Sequence, residues 1–260
     1  MGTSVGVRID LNADVGEAYG ARIEGDDEPI FAYVTSANVA CGFHAGDPEI
    51  MAATVKAAAS HGVAVGAHPS YPDRERFGRV SMSMSPEALR DCIVYQLGAL
   101  DAVARLMEAT LTHVKPHGAL YNDAAKDAGL AQTVAQAVAA YDRRLILVGL
   151  AGSALLQLAG AAGLRSAAEA FCDRRYQDDG SLCPRSASGA VIQSADEAVR
   201  QALCIVLERS VITARGKRIG IDAQTLCIHA DTPNALALAS AVADALTKAG
   251  VRLTTLGQLF

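Results

Sequence analysis

Residues 111–118 read LTHVKPHG, and this stretch indicates how the chain is built. A short run of strand character ends at Val114, and Pro116 cannot continue a central strand. Lys115 and His117 stand two positions apart at the strand end, so their side chains point to the same side. An ammonium and an imidazole group therefore occupy the connection that follows a predicted strand.

The same arrangement recurs along the chain, because apolar segments of strand length alternate with helical patterns. The predicted strands are 5–12, 36–40, 63–67, 111–114, 145–150, 166–171 and 225–229. The main predicted helices are 86–109, 130–141, 154–162, 195–208 and 236–249. Pairs of a capping residue and proline at 47–48, 85–86 and 232–233 are typical of helix starts. Strands that alternate with helices predict βαβ units and a parallel sheet.

Polar side chains follow nearly every predicted strand, and this favours a closed β/α barrel of about seven units. In such a barrel the carboxyl ends of all strands converge on one site. We therefore expect a single catalytic domain over residues 1–260, with an open doubly wound sheet as the alternative. The connections 70–83 and 172–189 are long, and loops of this length are usually functional or mobile.

Composition excludes several classes of protein. The 260 residues are 51% hydrophobic, which is ample for one core, and the net charge is −5. Basic residues are scattered, which argues against nucleic acid, and no apolar run approaches the roughly 20 residues of a membrane span. Six cysteines without a CxxC pair, and a beginning unlike a signal peptide, predict a cytoplasmic protein with reduced thiols. No glycine-rich phosphate loop is present, so a nucleotide cradle is not expected from this chain alone.

Seven strand-end residues are candidate catalytic groups, because carboxylates and imidazoles transfer protons and a lysine can stabilise negative charge. These are Asp14, His44, His68, Lys115, His117, Glu169 and His229. The lysine in this position has either a lowered pKa or an electrostatic role. The acidic residues near Asp14 also suit turns and helix caps, and Cys41 is a candidate nucleophile or, more commonly, a packed thiol.

Six further residues are candidates for substrate binding. These are Asn12, Asn38, Arg79, Asp173, Arg174 and Arg185. Guanidinium groups hold carboxylates through paired hydrogen bonds, which suits a small anionic substrate. The alternative for the arginines of segment 70–83 is a solvated charged loop.

Six strings in order along the chain resemble the lactam-utilisation family (LamB/YcsF), whose members form the A subunit of bacterial ATP-dependent 5-oxoprolinase. They are DLNADVGEAYG at 10–20, ANVACGFHAGDP at 37–48, GAHPSYPDRERFGR at 66–79, VKPHGALYN at 114–122, EAFCDRRY at 169–176 and IHADTP at 228–233. The resemblance implies an irregular seven-stranded barrel like those of glycoside hydrolases and deacetylases. It also implies cleavage of 5-oxo-L-proline to L-glutamate, with ATP and its magnesium as co-substrate and 5-oxoprolinase subunits B and C as partners.

This activity assigns roles to some of the candidates. A lactam resists water, so ATP coupling must activate the amide, and Lys115 suits stabilisation of the developing charge. His117, His44 or Asp14 suits the general base, and Arg79 or Arg174 the substrate carboxylate.

Two other functions stay open. A deacetylase-like hydrolase would hold a metal on one Asp and two His, which Asp14, His44 and His68 could supply. A noncatalytic member of the complex would only bind substrate for its partners. Since Lys115 disfavours a neighbouring cation, we expect no tightly bound metal.

Overall fold

The computed structural model describes residues 6–19, 27–229 and 234–260. The strands in chain order are Arg8–Val15 (β1), Ser36–Ala40 (β2), Ala64–His68 (β3), Leu111–Val114 (β4), Ile146–Leu150 (β5), Arg165–Phe171 (β6), Ser210–Ile212 (β7), Arg218–Gly220 (β8), Thr225–His229 (β9) and Arg252–Leu253 (β10). The helices are Pro48–Ser60 (α1), Pro86–Leu106 (α2), Gly118–Lys126 (α3), Ala128–Tyr141 (α4), Ala154–Ala161 (α5), Ala195–Glu208 (α6), Ala235–Lys248 (α7) and Leu256–Leu259 (α8), with a 3₁₀ turn at Glu28–Ala32.

Seven of these strands form a closed parallel barrel. Strands β1 to β6 pair in chain order, and β9 closes the barrel by pairing with both β6 and β1. The predicted β/α barrel is confirmed, and the open-sheet alternative is wrong. The antiparallel hairpin β7–β8 and the short strand β10 beside β1 are additions that the sequence did not reveal.

Strand β1 shows why the barrel interior is polar. Its apolar residues Ile9, Leu11, Ala13 and Val15 belong to the hydrophobic core, and the residues between them alternate onto the opposite face. Every residue from Ile9 to Val15 is nevertheless buried. The strand extends three residues beyond its predicted end, because polar side chains in this barrel are interior residues and not signs of a loop.

The helix starts at 48 and 86 agree with the sequence. The side chain of Asp47 accepts a hydrogen bond from the backbone N–H of Ile50, and that of Ser85 accepts one from Ala88. Both predicted caps are confirmed, whereas the pair at 232–233 lies outside the described residues. Helix α3 was not predicted; it begins at Gly118, shortly after the end of the predicted strand 111–114.

A glycine in β3 permits the close packing of a neighbouring imidazole. A Cβ atom at Gly66 would lie only 2.1 Å from Nε2 of His113 on β4. The His113 ring thereby reaches Oδ1 of Asn38 at 2.9 Å, inside the barrel. None of the helices in the described part of the chain combines the length and apolar character that a bilayer requires.

Candidate functional site

A cleft with a volume of about 340 Å³ lies at the carboxyl ends of the barrel strands. This volume is in the range of small-molecule sites. Eight of the predicted site residues line it: Asp14, His68, Arg79, Lys115, His117, Arg174, Arg185 and His229. The structure therefore gathers these residues from four strand ends and two long loops at one place.

Lys115 lies at the centre of a buried ion-pair network. Its ammonium Nζ is 2.8 Å from Oδ1 of Asp14 and 2.9 Å from Oε1 of Glu169. Burial by itself would lower the pKa of Lys115, but Asp14, Cys227 and Glu169 together hold it well above its usual value. The lowered pKa considered for this lysine is therefore wrong, and the ammonium is a fixed positive charge.

The two asparagines support this network from inside the barrel. Asn12 donates a hydrogen bond to Oε1 of Glu169 at 3.0 Å, and Asn38 donates one to Oδ1 of Asp14 at 2.8 Å. Both side chains are buried, and they hold the carboxylates that flank Lys115. Neither asparagine lines the cleft, so their contact with substrate stays a prediction.

Asp14 remains ionised in this setting. Burial alone would raise the pKa of its carboxyl, but the positive charges of His68 and Lys115 hold it well below the usual range. A carboxylate of such low pKa is a weak proton acceptor, so the role of general base suits Asp14 poorly.

Three histidines surround Glu17, a residue that the sequence-based candidates omitted. Its Oε1 is 3.0 Å from Nε2 of His44, 3.1 Å from Nδ1 of His117 and 3.7 Å from Nε2 of His68. The rings of His44 and His117 are stacked, with centroids 3.8 Å apart and planes 6° apart. Burial lowers the pKa of His44 to about 3 and also lowers that of His117, so both rings are neutral.

Backbone carbonyls fix which ring nitrogens carry protons. Nδ1 of His68 donates to the carbonyl oxygen of Lys115 at 2.7 Å, and Nε2 of His117 donates to that of Phe77 at 2.9 Å. Phe77 has a φ of 56°, an uncommon left-handed conformation for an aromatic residue. The second nitrogens of His68 and His117 face each other at 3.0 Å, next to Glu17.

His229 is held by a second carboxylate on the other side of the cleft. Its Nδ1 donates to Oδ2 of Asp173 at 2.9 Å, and its backbone N–H donates to the same oxygen at 3.1 Å. The ring stacks on Phe171, with centroids 5.4 Å apart. Asp173 is fully buried and orients His229, and its contact with substrate stays a prediction. The Nε2 atom of His229 is left to face Oδ2 of Asp14, 3.9 Å away.

Positive side chains from two long loops complete the cleft wall. The guanidinium of Arg79 lies over the ring of Phe77, and Arg174 donates to the carbonyl oxygen of Cys183 at 2.7 Å. Arg185 lines the same wall, as does Lys126, which no sequence pattern singled out. The cleft therefore presents several cations to an anionic ligand.

Cys41 has the properties of a packed thiol. Its side chain is buried, and burial raises the pKa of the thiol to about 12. The sulfur donates to the carbonyl oxygen of Val39 at 3.2 Å. A nucleophile requires the thiolate, so the structure favours the packing role for this cysteine.

Comparison with known proteins agrees with this architecture. The model of the LamB/YcsF family matches residues 9–260. The chain belongs to the LamB/YcsF family. A relative from Bordetella pertussis, named as the A subunit of 5-oxoprolinase, is 53% identical over 245 residues, which are 94% of this chain and 97% of the relative.

Solved structures extend the family likeness to the fold. The lactam utilization protein from Thermus thermophilus matches with a TM-score of 0.90 and 47% identity, covering 96% of this chain and 100% of that protein. A T48 deacetylase matches with a TM-score of 0.52 at 13% identity, covering 100% of this chain and 94% of that protein, and this likeness concerns the fold alone. This chain thus shares its barrel fold with a deacetylase, as the family resemblance implied.

Proposed function

We propose that this LamB/YcsF protein is the A subunit of a 5-oxoprolinase and opens the lactam ring of 5-oxo-L-proline to give L-glutamate. The observation that carries the proposal is the name of its relatives at about 50% identity. The cleft supports it chemically, since it combines a small volume, a fixed ammonium, an oriented histidine and arginines. Hydrolysis of a cyclic amide with a free carboxylate uses each of these features.

The cations divide into two groups by their surroundings. Lys115 lies deep in the cleft, where its ammonium can face the amide oxygen and stabilise the negative charge that develops when water adds to the carbonyl carbon. Arg79, Arg174 and Arg185 belong to the loop wall, where a substrate carboxylate can accept paired hydrogen bonds. The reacting carbonyl would then point toward the barrel and the carboxylate toward the loops.

His229 suits the general base better than the residues proposed from sequence. Its Nδ1–H is committed to Asp173, so Nε2 has a free lone pair that can take a proton from water. The same nitrogen can return that proton to the ring nitrogen of the lactam when the C–N bond breaks. His44 is enclosed behind His117 and does not line the cleft.

ATP coupling is assigned to the partner subunits B and C. The sequence has no phosphate loop, and ATP with its magnesium would activate the amide oxygen before or during ring opening. The six cysteines carry free thiols, which suits a reducing compartment such as the cytoplasm.

The test is glutamate release from 5-oxoproline with ATP and magnesium, measured for this chain alone and together with subunits B and C. We expect release only from the complete complex, and loss of release when His229 is replaced with Gln. Strong 5-oxoproline-dependent ATP hydrolysis by the isolated chain would contradict the assignment of ATP coupling to subunits B and C. Binding of 5-oxoproline without any turnover by the complex would instead show a noncatalytic role for this chain.

A further inference from the structure

We propose that Glu17, His68 and His117 form a binding site for a divalent transition-metal ion of the zinc class. The proposal does not depend on the proposed 5-oxoprolinase activity, because metal binding is measured without an activity assay. These three residues belong to a group of buried side chains whose potential ligand atoms lie within 4.8 Å of one another. The expectation of no tightly bound metal concerned a different set of candidate ligands, Asp14, His44 and His68.

The three donor atoms have the spacing of a metal coordination shell. Nε2 of His68 and Nδ1 of His117 are 3.0 Å apart, and Oε1 of Glu17 is 3.1 Å from the His117 nitrogen and 3.7 Å from the His68 nitrogen. Tetrahedral zinc with bonds of about 2.0–2.1 Å places its ligand atoms about 3.3 Å apart. The observed triangle has this size, so an ion can bind with only small side-chain adjustments.

The protonation pattern of the two imidazoles also points to a cation. Each ring donates its other N–H to a backbone carbonyl, of Lys115 for His68 and of Phe77 for His117. The inner nitrogens therefore face each other at 3.0 Å beside Glu17, and a proton or a metal ion between them removes the repulsion of their lone pairs. An outer N–H bound to a carbonyl is also the usual arrangement of histidines that bind metals.

His44 is excluded as a ligand by the geometry of its ring. A metal ion binds an imidazole nitrogen in the plane of the ring, and the planes of His44 and His117 are nearly parallel and stacked. One ion cannot lie in both planes. Nε2 of His44 lies instead 3.0 Å from Oε1 of Glu17, and as an N–H donor it orients the carboxylate from behind.

The remaining coordination position faces the cleft, because Glu17, His68 and His117 all line it. Three protein ligands and one open position are typical of catalytic and not of structural zinc sites. An ion bound there would polarise a carbonyl oxygen or lower the pKa of a bound water molecule.

The positive charge of Lys115 does not prevent a metal ion from binding nearby. The ammonium is paired with Asp14 and Glu169, so its charge is already matched within the network. Asp14, Glu17 and Glu169 are three buried carboxylates around one buried ammonium. The excess of negative charge favours a divalent cation at the Glu17 end of the cluster.

The test is a titration of chelator-treated protein with zinc chloride, read by competition with a chromophoric chelator. Cobalt chloride serves as a spectroscopic probe. We expect one ion per chain, and intense visible absorption bands of the kind that tetrahedral cobalt gives with nitrogen and oxygen ligands. Glu17→Gln and His117→Asn should each weaken zinc binding by at least about 10-fold. Substitution of a group around a metal site typically costs about 10–100-fold in metal affinity.

Matched controls separate this site from adventitious binding. His61 lies at the exposed end of α1, and Cys204 is a half-buried thiol on α6, so His61→Asn and Cys204→Ser should leave zinc affinity unchanged. Circular dichroism checks the fold of every variant. The cobalt spectrum is recorded on the unaltered protein, so it does not depend on the folding of any variant. Absence of saturable zinc binding, or binding that survives both Glu17→Gln and His117→Asn in folded protein, would overturn the proposal.

Discussion

Replacement of Lys115 with Met tests the centre of the site. The ammonium contacts the carboxylates of Asp14 and Glu169 at 2.8 and 2.9 Å in a buried network at the base of the cleft. Its removal leaves two buried negative charges without their counterion, and breaking a buried pair costs about 3–5 kcal/mol. For a chain of this size, we expect the melting temperature to fall on the order of 10 °C.

The same variant should lose the charge that stabilises the developing oxyanion. Loss of one such donor lowers kcat by about 10²–10³-fold, and we expect this loss in glutamate release by the complex of this chain with subunits B and C. The assay runs well below the melting temperature of the variant, with circular dichroism to confirm that the protein is folded.

Two further variants make the result interpretable. Arg105→Met removes an exposed ion pair to Asp101 on α2 and should cost less than about 1 kcal/mol. Adding Glu169→Gln to Lys115→Met should recover part of the stability, since one uncompensated charge is removed, but should not recover activity. A stability loss for Lys115→Met as small as that for Arg105→Met would refute the buried network. Near-normal glutamate release would remove Lys115 from the mechanism.

Three other predictions follow from the same geometry. Cys41→Ser should retain activity within a few-fold in the glutamate assay, because the thiol is packed, and a loss comparable to that of Lys115→Met would contradict this role. Asp173→Asn should lower kcat by at least about 10²-fold with little change in KM, because it removes the negative charge and one of the two acceptor oxygens that orient His229, and an unchanged kcat would exclude that orientation. Burial raises the pKa of Asp10 from 3.8 to about 6, so the folded chain holds this proton more tightly than the unfolded chain. The resulting stability is full below pH 3.8 and is lost as the pH rises through 6, about 3 kcal/mol in all. Urea unfolding of Asp10→Asn should lack this fall between about pH 4 and 7, and parallel curves for variant and unaltered protein would contradict it.

The barrel was predictable because most of its strands are apolar segments bounded by polar strings. The prediction was least accurate for β1, where Asp14 looks like a loop residue although it belongs to the strand. Helix α3 was not predicted because Pro116 indicated only the end of a strand, whereas proline next to a helix start is common.

The candidate site was predictable as a set of residue types and not as a set of contacts. Glu17 stood in a quoted motif, but only the turn at Gly16, with a φ of 68°, returns its carboxylate to the histidines. The depth of Asn12 and Asn38 behind the cleft was not predictable for a related reason. Sequence spacing gives the face of a strand, but it does not give the depth at which a side chain lies within a barrel.

The closure of the barrel by β1 and β9 has a consequence for biogenesis. Thr225 hydrogen-bonds the carboxylate of Asp10 across 215 positions of the chain. As the protein emerges from the ribosome, β1 can pair with β2 early, but its other edge stays open until Thr225–His229 of β9 have been translated. Contacts of such long range are slow to form. A nascent chain that stalls before β9 would expose an unpaired strand edge and the polar barrel interior together, a state that chaperones and proteases recognise.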